Sequence, residues 1–204
     1  MKRQRIYVLD DDPHMRDGLD AFLSPEFEVQ CFDTALPFLA ALENGGYADC
    51  ILLDLRLPEI DGFQVLSALK KSGNTTPIVF MSGDAEKADV IEAWRGGAAD
   101  FVLKPFSADE IRNSIDALLQ CAPSNAGDPN SNLPITPREA QVLLLLDQGL
   151  HQHEIGKRLG LSLRTVKMYR SFLKDKLGLN SLVEVARFCD RHRPAIAMKA
   201  GVAK

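Results

Sequence analysis

Cysteine is scarce in this chain. Cys31, Cys50, Cys121 and Cys189 are spread along 204 residues and form no metal-spaced pair. They are read as reduced, mostly buried thiols, which excludes a disulfide-stapled scaffold and a zinc ribbon. Long apolar runs are also missing, and nothing approaches the roughly 20 residues that a helix needs to span a bilayer. The basic start, Met1-Lys2-Arg3-Gln4-Arg5, is followed only by Ile6-Tyr7-Val8-Leu9 before acids begin, too short an apolar core for a signal peptide. The expectation is a cytoplasmic protein with no membrane partner. Of four histidines, His151 and His153 fall close together but lack further metal ligands, so they are read as surface residues.

What is present is an uneven distribution of charge. The net charge of −4 hides a split. Residues 1–122 carry 11 Lys/Arg against 21 Asp/Glu, a net of −10, and residues 135–204 carry 13 against 6, a net of +7. An acidic part and a basic part imply two domains with different partners, the basic one compatible with nucleic acid. Between them runs Ala-Pro-Ser-Asn-Ala-Gly-Asp-Pro-Asn-Ser-Asn-Leu-Pro, rich in turn formers and nearly devoid of apolar residues. The expected organisation is residues 1–121 as one domain, 122–134 as a flexible linker and 135–204 as a second domain. As a coil, the linker would span about 20 Å root-mean-square.

In the acidic part, short apolar runs alternate with helical patterns. Strands are expected at Arg5–Leu9, Glu28–Phe32, Cys50–Leu53, Pro77–Met81 and Phe101–Leu103. Helices are expected at Pro13–Leu23, Ala35–Glu43, Gly62–Lys71, Glu86–Arg95 and Ala108–Leu119. Five strand-then-helix repeats with fully apolar strands such as Ile51-Leu52-Leu53 predict an α/β doubly wound five-stranded parallel sheet, flavodoxin-like, covered on both faces. The basic part reads as a small all-α domain of four helices: Pro137 to about Gly149, His153–Leu159, Leu163–Leu177, and a last helix through about His192 with a frayed tail. Thr136, with Pro137 and Glu139 behind it, forms a capping box, and Ser162 and Ser181 are read as further caps.

Candidate chemistry lies at the C-terminal ends of the predicted strands, where open parallel sheets bind ligands. Asp10 and Asp11 follow the first strand, Asp54 the third, Ser82 the fourth and Lys104 the fifth. Clustered carboxylates repel one another and favour a hard cation such as Mg²⁺. A hydroxyl, an ammonium and a metal around one carboxylate suit phosphoryl transfer, because they neutralise charge on the transferred oxygens while Asp54 attacks. Each residue alone has an ordinary reading as a loop acid, cap or surface charge, and Asp12 is expected to be such a cap. The ordered combination is far more specific than any one of its members.

Val8-Leu9-Asp10-Asp11-Asp12, Leu53-Asp54-Leu55-Arg56-Leu57-Pro58-Glu59-Ile60-Asp61-Gly62, Met81-Ser82-Gly83 and Phe101-Val102-Leu103-Lys104-Pro105-Phe106 resemble the receiver domain of bacterial two-component response regulators, over residues 5–120. The resemblance implies that a histidine kinase phosphorylates Asp54. It implies that Asp11, Asp54 and the carbonyl of Arg56 bind Mg²⁺, with Asp10 helping through water. It further implies that Ser82 and Lys104 hold the phosphoryl oxygens, that Ser82 and Phe101 form a switch, and that the Lys104–Pro105 bond is cis. Arg56 and Asp84, two residues beyond Asp54 and Ser82, are candidates for tuning the lifetime of the phosphorylated state as an ion pair over the site.

In the basic domain, two helices, the turn Gly160-Leu161-Ser162 and a longer helix have helix-turn-helix proportions. Thr136-Pro137-Arg138-Glu139, the stretch from Glu154 to Ser162, Thr165-Val166-Lys167 and Lys176-Leu177-Gly178 resemble the LuxR-type helix-turn-helix. The whole chain thus resembles a FixJ/NarL-type response regulator. Tyr169 departs from the usual His, and Gly156 from the usual Ala. Lys167, Met168 and Ser171 are expected to face base edges. Arg164, Thr165, Arg170 and Lys174 complete the DNA-binding set, with Arg164, Arg170 and Lys174 on phosphates.

The expected function is a transcription regulator, not an enzyme, that accepts a phosphoryl group on Asp54 and catalyses at most its own dephosphorylation. Its partners would be a histidine kinase, promoter DNA, a second copy of itself when phosphorylated, and RNA polymerase. Val90, Ile91 and Trp94 are candidates for the surface that joins the copies. The rival reading is a Mg²⁺-dependent phosphoester hydrolase, which lacks a positioned general acid and a substrate cap. A third is a receiver whose helical domain does not bind DNA.

Overall fold

The computed structural model describes residues 3–83, 89, 92–93, 96–120 and 133–202. Backbone contacts divide the chain into Met1–Ala108 and Asp109–Lys204. The first unit is built on five parallel strands: β1 (Arg5–Leu9), β2 (Glu28–Phe32), β3 (Cys50–Asp54), β4 (Ile78–Ser82) and β5 (Asp100–Leu103). Their order is β2-β1-β3-β4-β5, with every neighbouring pair parallel. The winding direction reverses between β1 and β3, which opens the crevice outside their C-terminal ends. The two edge strands, β2 and β5, differ in burial. All residues of β3, β4 and β5 are buried, whereas edge strand β2 alternates until Phe32.

Helices α1 (Pro13–Leu23), α2 (Ala35–Glu43) and α3 (Gly62–Lys71) return the chain to the sheet. Asp12 caps α1 by accepting from the His14 N–H, with Pro13 in the first turn. Asp61 and Gln64 form a capping box at the start of α3. Tyr7, Phe32 and Phe38 meet edge to face with centroids 5.2–6.2 Å apart, closing the β2 side of the core. On the other side Phe80 lies between Phe63 and Phe101.

Gly62 is where α3 presses on the end of β3. A β-carbon there would come within 2.7 Å of the Asp54 carbonyl oxygen and 2.8 Å of the Phe80 ring. Neither the strand backbone nor the packed ring can yield cheaply. Gly62→Ala should therefore cost about 1–3 kcal/mol and lower Tm by at least about 4 °C. Calorimetry checks this, and an unchanged Tm would show that the contact relaxes freely.

The division falls at the first residue of α4 (Ala108–Gln120), so this helix goes with α5 (Pro137–Asp147), α6 (Gln152–Leu159), α7 (Leu163–Leu177) and α8 (Leu182–Lys199). The expected Thr136–Glu139 capping box forms, and Ser162 and Ser181 cap α7 and α8. Gly160 and Gly178 end α6 and α7 with φ of 63° and 68°, the left-handed conformation that glycine adopts without strain. Helix α5 packs chiefly on α8.

Most expected boundaries hold to within two residues. The main correction is the tail. The last helix does not stop near His192 but continues to Lys199 through Pro194. Its apolar side stays seated, because Ile196 and Ala200 are buried, and the Gln141 amide donates to the Ala200 carbonyl. Of the helix expected at 86–95, Asp89, Glu92 and Ala93 are described and all three are helical. Asp84, Val90, Ile91, Trp94, Cys121 and residues 122–132 lie outside the described residues. Cys50 and Cys189 are buried thiols, and burial pushes each up to about 12, so both are inert as nucleophiles.

Candidate functional sites: an acidic strand-end cluster and a helix-turn-helix

The backbone ladder sets the acidic site. Leu9 pairs with Leu53 and Asp54 with Met81, so Asp10 and Asp54 emerge at neighbouring strand ends. Bonding continues past the strands: Asp10 N–H donates to the Phe32 carbonyl, Leu55 N–H to that of Met81, and Lys104 N–H to that of Ser82. Ligand-capable oxygens of Asp10, Asp11 and Asp54 all lie within 4.8 Å of one another. Asp10 and Asp54 are buried while Asp11 is exposed at the mouth. Among the described residues this is the one group spaced to hold a metal ion, and His151 and His153 join none.

Lys104 stands between the two buried carboxylates. Its Nζ is 2.7 Å from Asp10 Oδ2 and 3.1 Å from Asp54 Oδ2. Burial opposes the ammonium, but hydrogen bonds and charge from both aspartates outweigh it and hold the lysine pKa up. Asp54 is also held above the usual carboxylate range. Burial is the leading cause and Asp10 adds to it, while Lys104 pulls the other way. The Arg56 N–H points to Asp54 Oδ1 at 3.4 Å. The Ser82 hydroxyl is buried without a protein partner. A donor without an acceptor at the end of β4 is what an incoming anionic oxygen would satisfy. The Lys104–Pro105 bond is cis, as the resemblance implied.

Phe101 is fully buried against Phe80, so its ring already points inward in this structure. Two contacts had no sequence signal. Arg16 on α1 donates to the Asp10 carbonyl at 2.7 Å. The Arg56 guanidinium pairs with Asp89 at 2.8 Å rather than reaching over the acidic cluster. Asp84, the partner expected for it, lies outside the described residues.

In the second unit, α6, the turn Gly160–Ser162 and α7 form the helix-turn-helix. Val166, Phe172 and Leu173 are buried, and Leu177 is half-buried. Tyr169 is also fully buried, so this departure from the usual residue serves the core. Arg164, Lys167, Arg170 and Lys174 are exposed, with Met168 and Ser171 half-exposed beside them. Lys167, Arg170, Ser171 and Lys174 line one open cleft with Asn180 and Ser181. Thr165 differs from the others. It is fully buried, and its hydroxyl donates to Glu110 at 2.6 Å.

Comparison with known proteins agrees with this geometry. Residues 6–116 match the response regulator receiver domain, and residues 133–189 match the bacterial regulatory proteins of the luxR family. The chain belongs to the two-component response regulators of the FixJ/NarL type. The transcriptional regulatory protein FixJ of Bradyrhizobium diazoefficiens is 35% identical, over 97% of this chain and 96% of that protein. The response regulator protein TodT of Pseudomonas putida is 32% identical, over 94% and 87%. The crystal structure of full-length FixJ from B. japonicum aligns over 100% of both chains at 33% identity, with a TM-score of 0.57. The protein is thus a response regulator with a receiver domain and a LuxR-type DNA-binding domain. No helix among its described residues is long and apolar enough to cross a membrane.

Proposed function

We propose that Asp54 accepts a phosphoryl group from a histidine kinase, and that this controls self-association and promoter binding by α7, in the cytoplasm, with RNA polymerase as the downstream partner. The observation that carries this reading is the Asp10–Asp54–Lys104 arrangement beside the unpartnered Ser82 hydroxyl. Attack of an Asp54 oxygen on phosphorus would form an acyl phosphate and release the donor's leaving group. Lys104 would then bind the transferred oxygens in place of the second aspartate contact, and Ser82 would donate to another. Three carboxylates and one backbone carbonyl, that of Arg56, fit a hard divalent cation, and Asp10, Asp11, Asp54 and Arg56 would hold Mg²⁺. Such an ion supplies charge neutralisation that one lysine cannot give to both carboxylates and phosphate together.

The test compares molecular size and promoter binding with and without beryllofluoride, in wild type and Asp54→Asn. Association and tighter binding are expected in the wild type alone. Equal responses in both proteins would overturn the reading. Arg170→Ala and Lys174→Ala should each weaken binding to all sequences and shallow the salt dependence by about one unit of slope. An unchanged slope would remove those residues from the phosphate contacts.

The Arg56–Asp89 pair supports a role in autodephosphorylation. While Asp89 holds the guanidinium aside, water reaches the phosphoryl group, and Asp89→Ala should change the half-life of phospho-Asp54. The same half-life in Asp89→Ala, Arg56→Ala and wild type would dismiss it.

A further inference from the structure

Asp10 is held at every polar atom. Its N–H donates to the Phe32 carbonyl, and its Oδ1 accepts from the Asp12 N–H at 3.0 Å. Its Oδ2 accepts from Lys104 at 2.7 Å, and its carbonyl accepts from Arg16 Nη1 at 2.7 Å. Asp11, the next residue, differs. Its carboxylate is exposed at the mouth of the cluster and has no hydrogen bond or ion pair among the described residues.

The direction of the Asp11 side chain therefore depends on its backbone. A peptide unit is planar, so fixing one end fixes the other. Arg16 holds the carbonyl of the Asp10–Asp11 peptide. The bond from the Asp12 N–H to Asp10 Oδ1 holds the N–H of the Asp11–Asp12 peptide. The α-carbon of Asp11 is thus clamped between two fixed planes, and Arg16 supplies one of them. The Arg16 N–H also closes the first turn of α1 on the Asp12 carbonyl. Its guanidinium makes no ion pair among the described residues, although Asp20 stands at i+4 on the same helix and accepts from Ser24 instead. An arginine placed in this way fixes direction rather than balancing charge.

We propose that Arg16 is a positioning residue for the cation site: by fixing the Asp10–Asp11 peptide, it aims the Asp11 carboxylate at the divalent ion. This rests on the reading that Asp10, Asp11 and Asp54 hold Mg²⁺. Mg²⁺ tolerates little departure from octahedral geometry, so a ligand aimed in advance binds it at a lower ordering cost. The charge of Arg16 acts the other way, because a cation bonded to the main chain of the cluster repels a divalent ion. Removing the arginine separates the two effects by sign. Loss of aim weakens Mg²⁺ binding, whereas loss of charge alone would tighten it.

The experiment titrates MgCl₂ into the unphosphorylated full chain at constant ionic strength and reads Mg²⁺ affinity from the rise in the receiver's Tm. Arg16→Met removes the donors and the charge but keeps an unbranched side chain. It should bind Mg²⁺ about tenfold more weakly than wild type. Arg16→Lys keeps a cation and a donor and should lose less. Leu19→Ala, at a buried position of the same helix, controls for loosening of α1. Its Tm without Mg²⁺ should fall while its affinity stays at the wild-type value. Affinity in Arg16→Met equal to or tighter than wild type would overturn the proposal and leave the metal reading standing. So would a loss in Arg16→Lys as large as that in Arg16→Met, or the same loss in Leu19→Ala. No rise in Tm with MgCl₂ in any of these proteins, wild type included, would bring down the metal reading and the proposal together.

Discussion

Asp54→Asn should reduce phosphoryl uptake from acetyl phosphate by at least about 10³-fold, since it removes the nucleophile while leaving its surroundings in place. Mass spectrometry of the intact protein reads this directly. A mass gain of one phosphoryl group on the variant, at the wild-type rate, would place the acceptor elsewhere. The same substitution should not unfold the receiver. Burial and Asp10 hold Asp54 above its ordinary pKa, so its ionisation works against folding. A group with a raised folded-state pKa contributes stability below its unfolded pKa and loses it as pH rises through the folded value. At neutral pH that contribution is gone, and asparagine, which carries no charge to repel Asp10, should leave Tm equal or slightly raised. The uptake reaction has the opposite pH sense, because only the carboxylate attacks. Uptake should fall on acidification sooner than an unperturbed aspartate would predict.

The second large effect is structural and lies in the DNA-binding domain. Glu139 is fully buried and accepts from Lys176 at 3.0 and 3.3 Å and from the Thr136 N–H at 2.6 Å. It joins the capping box of α5 to the C-terminal turn of α7. Burial raises its pKa, and Lys176 is the chief opposing influence. Lys176→Met would keep much of the packing but strand the carboxylate. The cost should be about 3 kcal/mol, the lower end for breaking a buried pair, because the Lys176 side chain keeps 26% exposure. Melting of this domain should fall by more than about 10 °C at pH 7. The deficit should shrink as pH drops, since a protonated Glu139 needs no cation. A deficit independent of pH would assign the loss to packing instead.

Strands, caps and the acidic cluster were legible from sequence because each depends on local pattern. Fully apolar runs mark buried strands, and Asp12, Thr136, Ser162 and Ser181 stand directly before the helices they cap. Asp10, Asp54, Ser82 and Lys104 follow apolar strands, so their convergence needs only the strand order. What sequence did not reveal depends on side-chain direction across elements distant in the chain. Arg56 was paired with Asp84 on sequence, and its contact with Asp89 depends on how the segment after β4 faces the site. Thr165 looked exposed because its neighbours Arg164 and Lys167 are, and only the packing of α4 engages it with Glu110. The continuation of α8 past Pro194 was hidden for a similar reason. Proline argues for an ending, but burial of Ile196 outweighs one missing N–H.

The main-chain bonds that carry the ladder past β1, β3 and β5 have a further implication, for how such a protein can diverge. The reacting groups are located by backbone, while the side chains exposed on α1, among them His14, Asp17 and Asp20, take no part in holding them. Drift on that face can therefore proceed without retuning the chemistry. Duplicated copies could diverge there while the strand-end cluster keeps its geometry.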